Sequence, residues 1–377
     1  MTRIAFYAPI KPPDHPIPSG DRLIARNLLV ALERTGFEPF LASDYIAYSK
    51  REAGNILADR KAGALAEADR LIADLADNPP DIWLTYHPYC KAPDWIGPRV
   101  ATALSIPYVT VEAARTGQGF ENGGDRWKAW RKEAQIGIKQ ADLHLCFKPT
   151  DRAYLQQMMG SGARLIDIPA FFDAGIPEKL SADNFPSHWR PNVPVLATVG
   201  MMRPGKKVEN YRILAKALEP LQALHWNLVL IGGGPEEQTI KNFFSPFAGE
   251  RLHWTGAIAQ PEVLAHMAAS DLFVWPGWKE PIGMVYLEAQ LMGLPVAALD
   301  SMGVSLVVHH GETGLLAPEV QPDETPEGLT ENLATLISHP TLRADLGAAG
   351  KISAQTRHSL QAGADALQSA LKPYCNS

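Results

Sequence analysis

Short, wholly apolar runs alternate with segments of helical period along most of this chain. Residues 4–8 form the first apolar run, and a Pro-rich loop follows it, ending in Ser19-Gly20-Asp21. Leu23, Ile24, Leu28, Leu29 and Leu32 then recur at helical spacing, and Gly36 closes the segment. Residues 37–42, 81–86, 108–111 and 143–147 read as further strands. Helices are expected between them, over the Ala-rich stretch 52–77, over 100–104 and over 127–140. Strands and helices in strict alternation imply parallel βαβ units.

The alternation breaks at 169–194, where Pro169, Pro177, Pro186, Pro191 and Pro194 leave little periodicity; this stretch reads as a linker. It then restarts with strands at 195–199, 226–231, 252–255, 272–275 and 295–299 and a helix at 211–221. The length, 377 residues, agrees with two cores, because one core stops growing at roughly 250–300 residues. The expected organisation is a first Rossmann-like domain over 1–175 and a second over 190–354. A final helical stretch over 341–371 is expected to return to the first domain, with 355–377 completing it.

Composition narrows the function classes. With 46% hydrophobic and 20% charged residues the chain reads as soluble and globular. A formal net charge of −6 argues against a nucleic-acid partner, yet a few local cations suffice for an anionic substrate. Cys90, Cys146 and Cys375 are an odd, scattered set, which fits a reducing cytoplasmic setting rather than a disulfide framework. The first apolar run is too short for a signal peptide, and no stretch reaches the roughly 18 apolar residues of a membrane span.

The chemistry concentrates between 270 and 316. A strand ends at Trp275, a loop carries Glu280, and a helix opens near Gly283 and stops before Gly293. Ligands of parallel sheets bind at the carboxyl ends of the strands. There the free amides of Gly283, Met284 and Val285, next to Ile282, would offer an anion site for phosphate. Glu280 is placed to reach a sugar hydroxyl. Glu288, about one and a half turns further on, is placed to accept from ribose hydroxyls. The bland alternative makes Glu280 a solvated loop residue and Glu288 a surface helix residue.

Three motifs in this half resemble the family-4 glycosyltransferases of the GT-B fold. They are Glu280-x7-Glu288, the Glu-Ala-x-x-x-Gly-x-Pro-Val run from Glu288 to Val296, and His310-Gly-Glu-Thr-Gly-Leu315. The resemblance implies an α/β fold of GT-B type, with two Rossmann-like domains whose parallel sheets face a central cleft. It implies a retaining transfer of sugar from a nucleotide-sugar donor (a UDP-, GDP- or ADP-sugar) to a glycan or lipid-linked acceptor. It implies no cofactor and no essential metal. It places Glu280 at the donor sugar and Glu288 on the ribose.

Gly200-Met-Met-Arg203-Pro-Gly-Lys206-Lys207 resembles the family's diphosphate-gripping segment, with Lys207 favoured over Lys206 as the inward cation. Arginine as a planar fork and lysine as a point charge both suit phosphate oxygens. The glycine loop 232–234 does not match the dinucleotide fingerprint, so an NAD dehydrogenase is disfavoured. Gly233 is instead expected near base and ribose, with Gly256 walling the base pocket. In the first half, Gly20 is expected against the diphosphate or acceptor, unless Ser19 or Asp21 simply caps the helix. His87 and Glu112 end the third and fourth strands as candidate acceptor-side residues. Glu112 stands near the place where the family often has a histidine, and Ser305 where it usually has a glutamate. Arg126, Trp127, Lys128, Trp130, Arg131 and Lys132 leave a peripheral membrane contact open, against the alternative of tryptophans packed inward. No His-Glu-x-x-His or Asp-x-Asp signature marks a metal. The competing functions are a nucleotide-sugar epimerase or hydrolase on the same scaffold, and a non-catalytic donor-binding subunit.

Overall fold

The computed structural model describes residues 2–17, 19–113, 127–173 and 185–375. Arg126 and part of the expected linker lie outside these residues. The chain divides into two compact units, Met1–Phe172 with Leu360–Ser377, and Asp173–Ser359.

In the first unit the strands are β1 (Arg3–Tyr7), β2 (Glu38–Ser43), β3 (Ile82–Tyr86), β4 (Tyr108–Val111), β5 (Leu143–Cys146) and β6 (Leu165–Asp167). They form one parallel sheet in the order β2-β1-β3-β4-β5-β6. Every residue of β3, β4 and β5 is buried, as expected for strands covered on both faces. The helices between them are α1 (Gly20–Arg34), α2 (Gly54–Leu75), α3 (Gly97–Leu104), α4 (Lys128–Ile138) and α5 (Pro149–Met159). The edge strand β6 is only three residues long and partly exposed, so it carries too little apolar pattern to be read from sequence.

In the second unit, β7 (Val195–Val199), β8 (Asn227–Ile231), β9 (Leu252–Gly256), β10 (Leu272–Val274), β11 (Val296–Asp300) and β12 (Gly314–Pro318) pair in the order β12-β11-β10-β7-β8-β9. All pairings are parallel. The helices are α6 (Lys206–Leu218), α7 (Glu237–Phe243), α8 (Gln260–Ala268), α9 (Met284–Leu291), α10 (Glu327–Ser338) and α11 (Pro340–Thr356). The strand order reverses between β7 and β10, and in doubly wound sheets the crevice outside the carboxyl ends at such a point takes the ligand.

The last helical stretch is two helices, not one. α11 ends at Thr356, and α12 (Leu360–Leu371) follows after a short break. α12 packs on α1 in the first unit, burying Leu360, Leu367 and Leu371, and Gln368 donates to the Thr35 carbonyl at 3.3 Å. Trp130, expected inward or at a membrane, is fully buried against Trp95 and Trp127. No helix among the described residues is long and apolar enough to cross a membrane.

Candidate functional site

The loops after β7 and β10 flank the reversal point of the second sheet, and side chains tie them together there. Lys207 lies in the first turn of α6. Its ammonium sits 2.9 Å from Glu280 Oε2 and 5.0 Å above the Trp275 ring. The Trp275 indole N–H approaches the same carboxylate oxygen at 3.5 Å. Lys206 donates to the Lys279 carbonyl at 3.3 Å, and burial together with its cationic neighbours lowers its pKa although Glu280 opposes that. Asn210, on α6, holds the backbone of the loop after β10. Its Nδ2 donates to the Trp278 carbonyl at 3.1 Å, and its Oδ1 accepts from the Trp278 N–H at 2.8 Å. Tyr211 fixes the other side, donating to the Gly200 carbonyl at 2.7 Å while its ring meets Trp275 edge-on.

The start of α9 needs glycine. Gly283 caps the helix at φ 74°, and a Cβ there would overlap the Tyr286 ring. Tyr286 is held in place by a bond from its hydroxyl to the Trp275 carbonyl, 2.9 Å long. The first-turn residues Met284 and Val285 are half-buried, and Ile282 is buried beside them. Amides at a helix start have no intrahelical acceptor, so this terminus is suited to an anion.

Among the described residues Glu288 pairs with no cation. It is half-buried, and burial raises its pKa to about 7 against the hydrogen bond that Gln260 Nε2 donates to Oε1 at 3.1 Å.

Other expected residues stand differently. Arg203 is exposed and its guanidinium contacts the Met201 sulfur, so the structure does not bring it to Glu280. Gly232 and Gly234 serve backbone packing: a Cβ on either would overlap the carbonyl of Gly200 or Met202. Gly233 joins the same contact by accepting from the Met202 N–H at 3.0 Å, and it packs on Ala257 after β9. Gly256 ends β9 at φ 70°. A Cβ on Gly20 would meet nothing, whereas Ser19 caps α1 by accepting from the Arg22 N–H at 3.3 Å. Ser305 is exposed in a single 3-10 turn rather than inside a longer helix. The His310–Leu315 motif is a tight turn: His310 Nδ1 accepts from the Leu316 N–H, and Thr313 Oγ1 accepts from the His309 N–H, both at 3.0 Å.

The first unit holds a second constellation at the carboxyl edge of its own sheet. His87 and Glu112 adopt left-handed backbone at φ 59° and 54°, a conformation that costs a non-glycine residue energy and gathers at functional sites. His87 Nδ1 lies 3.4 Å from Asp21 Oδ1. Glu112 accepts from Lys148, which also pairs with Asp151 at 3.0 Å. Burial would hold Glu112 neutral, but Lys148 and His87 outweigh it and keep the carboxylate below its usual range. Burial would discharge His87, but Glu112 and Asp21 outweigh it and raise the imidazole pKa. Asp151 is pushed up, by burial first and by Glu112 as well. Glu112 Oε2 is buried with no hydrogen-bond partner among the described residues.

Sequence reasoning missed Lys148, Asp151, Asn210, Trp275 and Gln260 as site residues. Lys148 had a usable signal, a cation directly after a buried strand. Asn210 and Gln260 had none, because a polar residue in a first turn or on a helix face is ordinary. A separate cavity of about 520 Å³ opens between α2, α3 and α4. Its buried carboxylate, Asp94, is spent on structure: it accepts from Thr85 and Tyr108 and from the Ile96 and Gly97 amides at the start of α3. Among the described residues no group of three His, Cys, Asp or Glu side chains is arranged to hold a metal.

Residues 193–339 match the family model described as glycosyl transferases group 1. The chain is 32% identical over 140 residues to the GDP-mannose-dependent alpha-(1-6)-phosphatidylinositol monomannoside mannosyltransferase of Mycobacterium tuberculosis, covering 34% of this chain and 35% of that one. It is 28% identical over 216 residues to the GDP-mannose-dependent monoacylated alpha-(1-6)-phosphatidylinositol monomannoside mannosyltransferase of Corynebacterium glutamicum, covering 55% and 54%. The matched stretches thus span about a third to a half of these curated relatives. Among solved structures, sucrose-phosphate synthase from Thermosynechococcus elongatus superposes with a TM-score of 0.72 at 18% identity over 99% of both chains. The two doubly wound parallel sheets, six strands each, are those of GT-B glycosyltransferase structures, and the second unit carries the match to glycosyl transferases group 1.

Proposed function

We propose that this chain is a glycosyltransferase that moves a sugar from a nucleotide-sugar donor to an acceptor hydroxyl. One observation carries the reading. Lys207 and Glu280, far apart in sequence, meet at the reversal point of the second sheet, on the loop that leads into the Gly283-capped start of α9. That is a cation and an anion-binding helix terminus in the place where such sheets bind nucleotides. The relatives named for GDP-mannose support a nucleotide-sugar donor.

In this reading the donor diphosphate lies against Lys207 and the α9 amides, and Lys206 and Arg203 add positive potential from the exposed side. Negative charge grows on the leaving nucleoside diphosphate as the glycosidic bond breaks. Preset cations and amides stabilise it without reorganising. Glu280 accepts from a sugar hydroxyl, Glu288 accepts from the ribose, and the Asp21–His87–Glu112 group of the first unit serves the acceptor. We assign the chain to the family-4 type, with retention at the anomeric carbon and no essential metal. A glycan or a lipid-linked sugar is the acceptor class.

The test is a thermal-shift and calorimetric screen of UDP, GDP and ADP and their sugars, followed by transfer assays with and without EDTA. Anomeric configuration is read by NMR. Binding of a nucleoside diphosphate with EDTA-resistant sugar transfer supports the proposal. An epimerised sugar from donor alone would replace it with an epimerase, and donor binding without turnover over a broad acceptor panel would replace it with a binding subunit.

A further inference from the structure

Glu288 is a carboxylate in an unfavourable place. It lies half-buried on α9, and among the described residues no charge on α8 or α11, which both pack on α9, enters its electrostatic balance. Burial pushes it toward the neutral acid, and the side-chain amide of Gln260 opposes that. Gln260 is the first residue of α8, directly after the loop that leaves β9. α8 and α9 are the crossover helices on either side of β10, so both begin at the carboxyl edge of the sheet, where the proposed ligand sits. The start of α8 is itself fixed, with the Glu262 carboxylate accepting from the Ala259 N–H at 3.0 Å.

We infer that Gln260 is a positioning residue for nucleotide binding: it donates its amide to Glu288 Oε1 at 3.1 Å, holds the carboxylate in one orientation, and leaves the other oxygen to the ligand. This inference rests on the reading of Glu288 as the ribose acceptor. An amide suits the task better than a cation. It supplies a donor without a charge that would compete for the diphosphate, and it has no titration of its own near neutrality. A carboxylate that has lost a hydrogen-bond donor in a half-buried site takes up a proton more readily, and a protonated carboxyl accepts poorly from ribose hydroxyls.

The experiment measures binding of UDP, GDP and ADP to the full chain by calorimetry from pH 6 to 9. It is repeated with the 2′,3′-dideoxy counterpart of whichever nucleotide binds. Gln260→Ala is expected to weaken the ribonucleotide about tenfold at pH 7, to recover much of that by pH 9, and to leave the dideoxy nucleotide unchanged. Gln260→Glu is expected to move the pH midpoint up further, because a second carboxylate then faces the first. Equal losses for ribo- and dideoxynucleotide in Gln260→Ala, or an unmoved pH midpoint, overturn the inference. Glu288→Gln separates its failure from that of the underlying reading. If that variant still discriminates ribose from dideoxyribose as the native protein does, the ribose role of Glu288 is wrong. If it loses the discrimination while Gln260→Ala keeps it, only the role of Gln260 is wrong.

Discussion

Lys207 and Glu280, 73 positions apart, form a 2.9 Å ion pair at the carboxyl edge of the second sheet. In the proposed function they have different duties, one toward the diphosphate and one toward the sugar. In the free protein each occupies the other. The carboxylate therefore holds the cation that the donor needs, and donor binding must separate them.

This competition gives a prediction that runs against the usual expectation for a site residue. Glu280→Gln removes the internal anion and is expected to raise affinity for inorganic diphosphate and for the nucleoside diphosphate by about 2- to 5-fold, the range of a partly exposed ion pair. The same change is expected to lower sugar transfer by about ten- to a hundredfold, because the sugar loses a charged acceptor. Calorimetry and a transfer assay on one preparation read both. A fall in diphosphate affinity would show that Glu280 orients Lys207 instead of competing for it.

Glu288 predicts a pH dependence with two faces. Its pKa is raised from 4.5 to about 7 by burial, so between these values the folded protein holds a proton that the unfolded chain has released. Its contribution to stability is fully present below about 4.5 and falls as pH rises through about 7, a loss on the order of 2–3 kcal/mol. Glu288→Gln is therefore expected to unfold at a higher temperature than the native protein at pH 8 and at the same temperature at pH 4.5. Ligand binding runs the other way, since the ionised form is the acceptor: nucleotide affinity should rise from pH 6 to pH 8 and lose that slope in the variant. Parallel melting curves at both pH values would remove the argument.

Gly283 couples fold to site more rigidly than the carboxylates do. At φ 74°, with the Tyr286 ring overlapping the place a Cβ would take, alanine must distort the start of α9. Gly283→Ala is expected to cost at least about 1–2 kcal/mol and to weaken nucleoside diphosphate binding by moving the helix amides. Gly20→Ala meets empty space and is expected to leave the melting temperature within about a degree. Thermal denaturation of the two variants side by side decides it, and an equal response would mean that the cap geometry at Gly283 is not required.

These contrasts show what the sequence makes legible. Apolar runs such as Leu196-Ala197 and the wholly buried β8 announce themselves, because strands covered on both faces need uninterrupted apolar residues. The Glu280–Glu288 spacing is legible because a glycine-opened helix after a strand fixes where both carboxylates go. Partnership is not legible in this way. That Lys207 rather than Arg203 meets Glu280 depends on the pitch of α6 and on Trp275 beneath the ammonium, and neither leaves a local pattern. The glycines at 232 and 234 mislead for a related reason: close approach of two backbones calls for the same residue as close approach of a ligand.

The buried charges of the first unit provide the last prediction. Lys148 is 8% exposed and bonds to Glu112, which is 3% exposed, with Asp151 as its second partner. Removing one partner of a buried pair leaves a charge with neither water nor counterion, which typically costs about 3–5 kcal/mol. His87 also faces Glu112 and carries part of the compensation, so Lys148→Met is expected at the lower end of that range. Adding Glu112→Gln to Lys148→Met removes one of the two stranded carboxylates, leaving Asp151, which burial already pushes toward its neutral form, and should recover more than half of the loss. Urea denaturation of the two single variants and the double variant gives the coupling directly. Strictly additive losses would show that Lys148 and Glu112 do not depend on each other, and the charge balance that keeps Glu112 ionised and His87 raised would need another source.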